Sequence, residues 1–156
     1  MNIKIISLDR GRDRDIKKVE ETFITRLSKY CKIEFVDIKR SAHYDTAKPQ
    51  AILTAEASHV MKRIKESDHV ILLDPRGRQM DSITLAQSLK ALQQQGVNSL
   101  VFIIGGPLGV SDQLREKARS ILSLSKLTFT HEMARMLLCE ALYRSFDILH
   151  GGNYHK

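Results

Sequence analysis

The sequence predicts an α/β protein: a single domain, residues 1–156, with a mostly parallel sheet covered by helices on both faces. Two observations carry this. Short apolar runs alternate with longer segments of helical periodicity along the whole chain. The runs at 70–73 and 100–104 are apolar without interruption, as in parallel strands buried on both sides. A chain of 156 residues can also bury a core without disulfides or metal.

The elements follow in order. Residues 3–8 read as a first strand, followed by a charged loop. Residues 15–30 place Ile16, Val19, Phe23 and Leu27 at the three-to-four spacing of an amphipathic helix. Residues 32–38 form a second strand and 41–48 a polar loop. Pro49 suits the first turn of a helix over 50–65, with Ile52, Leu53, Val60, Met61 and Ile64 on one side. Residues 69–73 are a buried strand, ended by the turn signal Asp74-Pro75-Arg76-Gly77. A helix over 82–95 stops at Gly96. The strand 100–104 runs directly into Gly105-Gly106-Pro107-Leu108-Gly109. Ser111 is a good N-cap for a short helix to about Arg119. A fifth strand is expected over 121–124, a polar irregular stretch over 125–131 and a last helix over 132–149.

Net charge is +7, from 25 basic and 18 acidic residues. That excess favours an anionic partner, nucleic acid first, because neutralising phosphates gives affinity independent of sequence. Residues 1–40 hold 11 basic and 7 acidic side chains and are the best candidate footprint. There Arg10, Arg12, Arg14, Lys17 and Lys18 alternate with Asp9, Asp13 and Asp15, so a merely solvated loop is the alternative. No apolar stretch is long enough for a membrane span, and the N-terminus lacks the layout of a signal peptide. With two cysteines the expectation is a reduced, cytoplasmic protein without disulfides.

In an open α/β sheet, ligands bind beyond the carboxyl ends of the strands. Three loops qualify: 74–78, 105–110 and 125–131. Glycines at 105, 106 and 109 let backbone approach a ligand closely, and they equally suit a tight strand-to-helix connection. There is no phosphate loop, no G-x-G-x-x-G after the first strand and no nucleophile elbow. The histidines at 43, 59, 69, 131, 150 and 155 show no paired metal-ligand spacing with the cysteines, so no metal is expected. Arg135 shares a helical face with Leu138, Cys139, Leu142 and Phe146. A guanidinium there must snorkel out, pair, or meet an anionic ligand or partner chain. Glu140 and Arg144, four apart, read as a helix-surface pair.

Three segments in this order, VILLDPRG (70–77), VFIIGGPLGV (101–110) and LSLSKLTFTHEMARMLLCEALYRSF (122–146), with the terminal NYHK, resemble the ribosomal RNA large subunit methyltransferase H family of the SPOUT superfamily. The resemblance covers essentially the whole chain and is strongest from residue 70 onward. It implies a trefoil knot near the C-terminus, a homodimer, and methylation of N3 of a pseudouridine in 23S rRNA within the large subunit or 70S ribosome. It further implies S-adenosylmethionine held by Leu73, Gly105, and the run Leu124, Ser125, Lys126, Leu127, Thr128 and Phe129. His131, Arg135, Tyr154 and His155 become candidates for base contact, charge stabilisation and proton removal, with the tail reaching the partner subunit's site. The chain departs from the family at Asp9, where glycine is frequent, and at Thr130, where proline commonly precedes the histidine. The alternatives are a SPOUT enzyme acting on tRNA and a basic ribosome- or RNA-binding module without catalysis.

Overall fold

A computed structural model describes residues 1–8, 13–38 and 48–156. Among the described residues five strands and five helices alternate: β1 (Asn2–Ser7), α1 (Arg14–Leu27), β2 (Lys32–Asp37), α2 (Pro49–Met61), β3 (His69–Gln79), α3 (Ser82–Gln94), β4 (Ser99–Ile104), α4 (Asp112–Lys117), β5 (Ser120–Ser123) and α5 (His131–Leu149). The sheet has the order β2-β1-β4-β3-β5, and all four strand pairings are parallel. The sequence expectations for Asp9, Arg10 and Arg12, and for most of the 41–48 loop, lie outside the described residues.

Side chains along a strand point alternately to the two faces, and that period divides the core in two. Ile3, Ile5, Ile71, Leu100, Phe102 and Ile104 meet Leu27 of α1, Leu89 of α3, and Leu138, Cys139, Leu142 and Phe146 of α5. Their neighbours Ile6, Leu8, Val70, Leu72, Val101 and Ile103 meet Ala57 and Val60 of α2 and Leu114 of α4. Both faces are therefore covered, and the uninterrupted apolar run in β4 follows from that burial. Cys31 and Cys139 are free and buried; burial pushes the Cys31 thiol up to about 11 and Cys139 up as well.

Helix starts are set by side-chain caps. Asp13 accepts from the Asp15 and Ile16 amides, Asp81 from Thr84, Ser111 from Leu114 and Thr130 from Met133. The Thr130 cap is a hydrogen bond that proline at this position could not make. Among the described residues no helix is long and apolar enough to cross a membrane.

One boundary is corrected. The segment Asp74-Pro75-Arg76-Gly77 does not end β3, which continues to Gln79. Pairing with β5 shifts register between Leu73 and Arg78 and resumes at Arg78↔Leu122 and Gln79↔Ser123. Proline removes a ladder donor without reversing the chain, so it sits in the irregular stretch. Gly77 serves close approach of backbones: a Cβ there would lie 2.7 Å from the Ile121 carbonyl oxygen. The helices α1, α2 and α4 also end earlier than their periodicity suggests, at Leu27, Met61 and Lys117.

Candidate cofactor pocket

The irregular stretch of β3 after Leu73 and the carboxyl ends of β4 and β5 open into a cavity of about 520 Å³. That size is within the range of small-molecule and cofactor sites. Three loops and the first turns of α5 build its walls, so the ligand crevice falls where an open parallel sheet places it.

The β4 wall is the glycine loop. Gly106-Pro107-Leu108-Gly109 is a β-turn closed by the Gly109 amide donating to the Gly106 carbonyl at 2.9 Å. Leu108 keeps a negative φ, so the turn is type I, with Pro107 at the position that favours proline and glycine at the last. Gly109 itself has φ +80°, which a side chain would resist. Gly105 is tightly packed as well: a Cβ would stand 3.0 Å from Val110 Cγ1 and 3.2 Å from the Gly109 carbonyl oxygen, so these neighbours would have to give way.

The β5 wall is shaped by short polar bonds. Ser123 Oγ donates to the Ser125 carbonyl at 2.9 Å, and the Leu127 amide donates to Ser125 Oγ at 3.0 Å. These bonds curl the backbone and leave Leu127 and Phe129 unusually exposed for apolar residues, at 72% and 40%. The β3 wall carries Leu73, Asp74 and Pro75. Asp74 accepts from the Arg76 amide, from Arg76 Nε and Nη2, and from Arg115 Nη2 at 2.7 Å. Arg76, backed by Arg115, holds the Asp74 carboxyl well below the usual carboxylate range, against the burial that would raise it.

That network yields a pH-dependent expectation. Asp74→Asn should cost about 1 kcal/mol at pH 7, chiefly through the half-buried Arg115, because the exposed Arg76 is screened by solvent. The folded-state pKa is depressed, so the contribution is present above the unfolded value of about 3.9 and fades as pH falls through the folded value. Urea melts at pH 7 and pH 3 should show the gap between wild type and variant narrowing at the lower pH.

Of the residues expected to hold a cofactor, Leu73, Gly105, Leu124, Ser125, Leu127, Thr128 and Phe129 line the cavity; Lys126 is exposed and does not. His131 lines it too, beside Glu132 and Ala134. Asp74 and Val110 fall in the loops that the sequence offered, whereas Ile104, Glu132 and Ala134 lie outside them. Ile104 ends the apolar run before the glycine loop and Glu132 adjoins His131, and those positions were the available signals.

Arg135, Tyr154 and His155 are not among the lining residues. Arg135 pairs instead of snorkelling: its guanidinium meets Glu20 of α1 and Asp37 of β2. The tail folds back along α5. The Gly152 amide donates to the Asp147 carbonyl and Gly151 to Ile148, the pattern of a Schellman stop. The buried Asp147 carboxylate then accepts from the Tyr154 amide at 2.9 Å. Tyr154 donates its hydroxyl to Glu140 at 3.1 Å and lies 4.8 Å from the Tyr143 ring and 4.5 Å from the Arg144 guanidinium. Glu140 and Arg144 do pair, as part of this tail anchor and not as an isolated surface pair. His155 approaches the α3 cap closely enough to help lower the Asp81 carboxyl, which is held down chiefly by the Thr84 amide.

An all-parallel sheet with a glycine loop and a cavity beside its strand ends defines an α/β protein with a candidate ligand pocket. Comparison with known proteins narrows the class. A family model described as "Predicted SPOUT methyltransferase" matches residues 1–155. The chain is 36% identical over 159 residues to "Ribosomal RNA large subunit methyltransferase H" of Acetivibrio thermocellus, covering 100% of both chains. It is 39% identical over 155 residues to the protein of that name from Pseudothermotoga lettingae, covering 99% of both. The Latilactobacillus sakei relative is 35% identical over 159 residues, with 100% of each chain covered. The chain belongs to this family of SPOUT methyltransferases.

Proposed function

We propose that the protein is an S-adenosylmethionine-dependent methyltransferase acting on N3 of a pseudouridine in 23S rRNA, on assembled ribosomal particles in the cytoplasm. The observation that carries this reading is the coincidence of three sequence segments in one cavity: Leu73, Gly105 and the 124–129 loop. The lining fits the donor. Leu73, Ile104, Leu124 and Leu127 offer apolar walls to an adenine ring, the glycine loop brings backbone close, and Glu132 suits a cationic ligand.

When bound, S-adenosylmethionine supplies an electrophilic methyl group on a sulfonium centre. The chain's own task is to orient the acceptor base and manage the weakly acidic N3 proton. This reading gives base contact and acceptance of that proton to His131, the first residue of α5 and part of the cavity wall. Much of the rate then comes from alignment, which the three loops and α5 fix. A homodimer belongs to this reading, because Tyr154 and His155 contribute only if the tail of one subunit reaches the pocket of the other. A trefoil knot near the C-terminus belongs to it as well. The basic surface supplies affinity for RNA and little sequence readout, so a shaped, assembled substrate is expected.

Methyl-transfer assays on 23S rRNA, assembled large subunits, 70S ribosomes and tRNA, with mass-spectrometric mapping, test the proposal. Methylpseudouridine formed on assembled particles supports it. Methylation of tRNA alone replaces the substrate, and no calorimetric binding of S-adenosylmethionine points to a non-catalytic ribosome-binding module.

A further inference from the structure

Arg135 is held by an unusually complete set of partners. Its Nη2 donates to Glu20 Oε2 at 2.9 Å while Nε donates to Oε1, a bidentate fork, and Nη1 donates to Asp37 Oδ1 at 2.8 Å. The guanidinium also sits 5.6 Å from the centroid of the Phe35 ring. Its side chain is 12% exposed and that of Glu20 only 5%, so solvent does little to loosen the pair. Such a fork fixes direction as well as distance, and a lysine cannot reproduce it.

The position of this clamp gives it a purpose. Arg135 follows His131 by four residues, one turn further along α5 on the same face. The turn between them supplies His131, Glu132 and Ala134 to the cavity wall. A second tie lies beside it, with the Asp13 amide donating to Glu132 Oε1 at 3.1 Å. The first turn of α5 is thereby pinned to the N-terminal cap of α1, to its middle at Glu20 and to the end of β2 at Asp37. Asp37 ends β2 and Asp13 caps α1, both on the side of the parallel sheet where the strands finish and the cavity opens.

We propose that Arg135 is a positioning residue: clamped by Glu20 and Asp37, it sets the placement of the first turn of α5 and hence of His131 and Glu132 in the pocket wall. Its consequence for turnover rests on the proposed methyl transfer; its consequence for His131 does not. Arg135 acts through its partners, so substitutions on either side of the fork must produce the same defect.

The test compares Arg135→Lys, Glu20→Gln and the double variant, at a temperature where thermal melts show all of them folded. Two readouts are taken: the His131 ring resonances by NMR, and kcat and KM for methyl transfer to ribosomal particles. Each single variant is expected to shift the His131 resonances and to lower kcat/KM by about ten- to a hundredfold, the cost of misplacing a group by about 1 Å. The double variant is expected to add little to either single one, the non-additivity of residues acting as one unit. Unchanged His131 resonances in both single variants overturn the proposal. So does an intact kcat/KM in Glu20→Gln beside a large loss in Arg135→Lys, because Arg135 would then meet the substrate itself. If the wild type transfers no methyl group, the functional reading fails while the NMR comparison still decides the clamp.

Discussion

Gly105→Val should weaken S-adenosylmethionine binding on the order of a hundredfold while leaving a folded protein. Even a methyl group at this position meets Val110 Cγ1 at 3.0 Å and the Gly109 carbonyl oxygen at 3.2 Å. Valine adds two more carbons, and relief requires the 106–109 turn to move. That turn is closed by its own hydrogen bond and fixed by Gly109 at φ +80°, so displacement carries the whole wall with it. The strain should cost about 1–3 kcal/mol of stability, an ordinary overpacking penalty. The loss of affinity should be on the order of a hundredfold, about 2.7 kcal/mol, because backbone that must approach the ligand is moved away. Calorimetry together with a thermal melt separates the two effects. A variant that binds as well as wild type would show that the glycine loop is only a tight connection.

Gly77→Val should be the most destabilising single change on the β3 side. A Cβ at Gly77 would lie 2.7 Å from the Ile121 carbonyl oxygen, 2.8 Å from its carbon and 2.9 Å from Ile121 Cγ2. The obstacle is chiefly strand backbone, which cannot step aside as a side-chain tip can. Accommodation means parting β3 from β5, where Leu72↔Ile121 and Leu73↔Leu122 are paired. We expect a loss of about 3 kcal/mol, at the severe end for one substitution. For a chain of this length that is a fall in Tm of roughly 6–12 °C. Because β5 leads into the 124–129 wall, cofactor affinity should fall with it. A melt within a degree or two of wild type would show that the strands part easily.

Much of this fold was legible because local signals agreed with the tertiary outcome. The apolar runs at 70–73 and 100–104 lie in strands buried on both faces, and Gly96 and Ser111 stop and start helices where their chemistry suggests. Asp74-Pro75-Arg76-Gly77 misled because turn residues and bulge residues are the same types, and only pairing with β5 tells them apart. The pocket loops were legible since the ends of parallel strands are where ligands sit, and seven of the eight residues expected to hold the cofactor line it. Arg135 was recognisable as an anomaly, but its partners Glu20 and Asp37 stand 115 and 98 residues away in sequence. No periodicity connects positions so distant. The tail was illegible for the same reason, since Asp147, Glu140 and Tyr143 gather around Tyr154 only once the chain has reversed at Gly151.

The central claim is that Leu73, Gly105 and the 124–129 loop together hold the methyl donor. Titrating ¹⁵N-labelled protein with S-adenosylmethionine, and following each backbone amide by NMR, tests it most directly. The account predicts saturable shifts concentrated at Leu73, Gly105, Gly106, Leu124, Ser125, Leu127 and Phe129, with the sheet's opposite end near Asn2 and Ser99 unmoved. Saturable shifts centred elsewhere, or none at all, would contradict it.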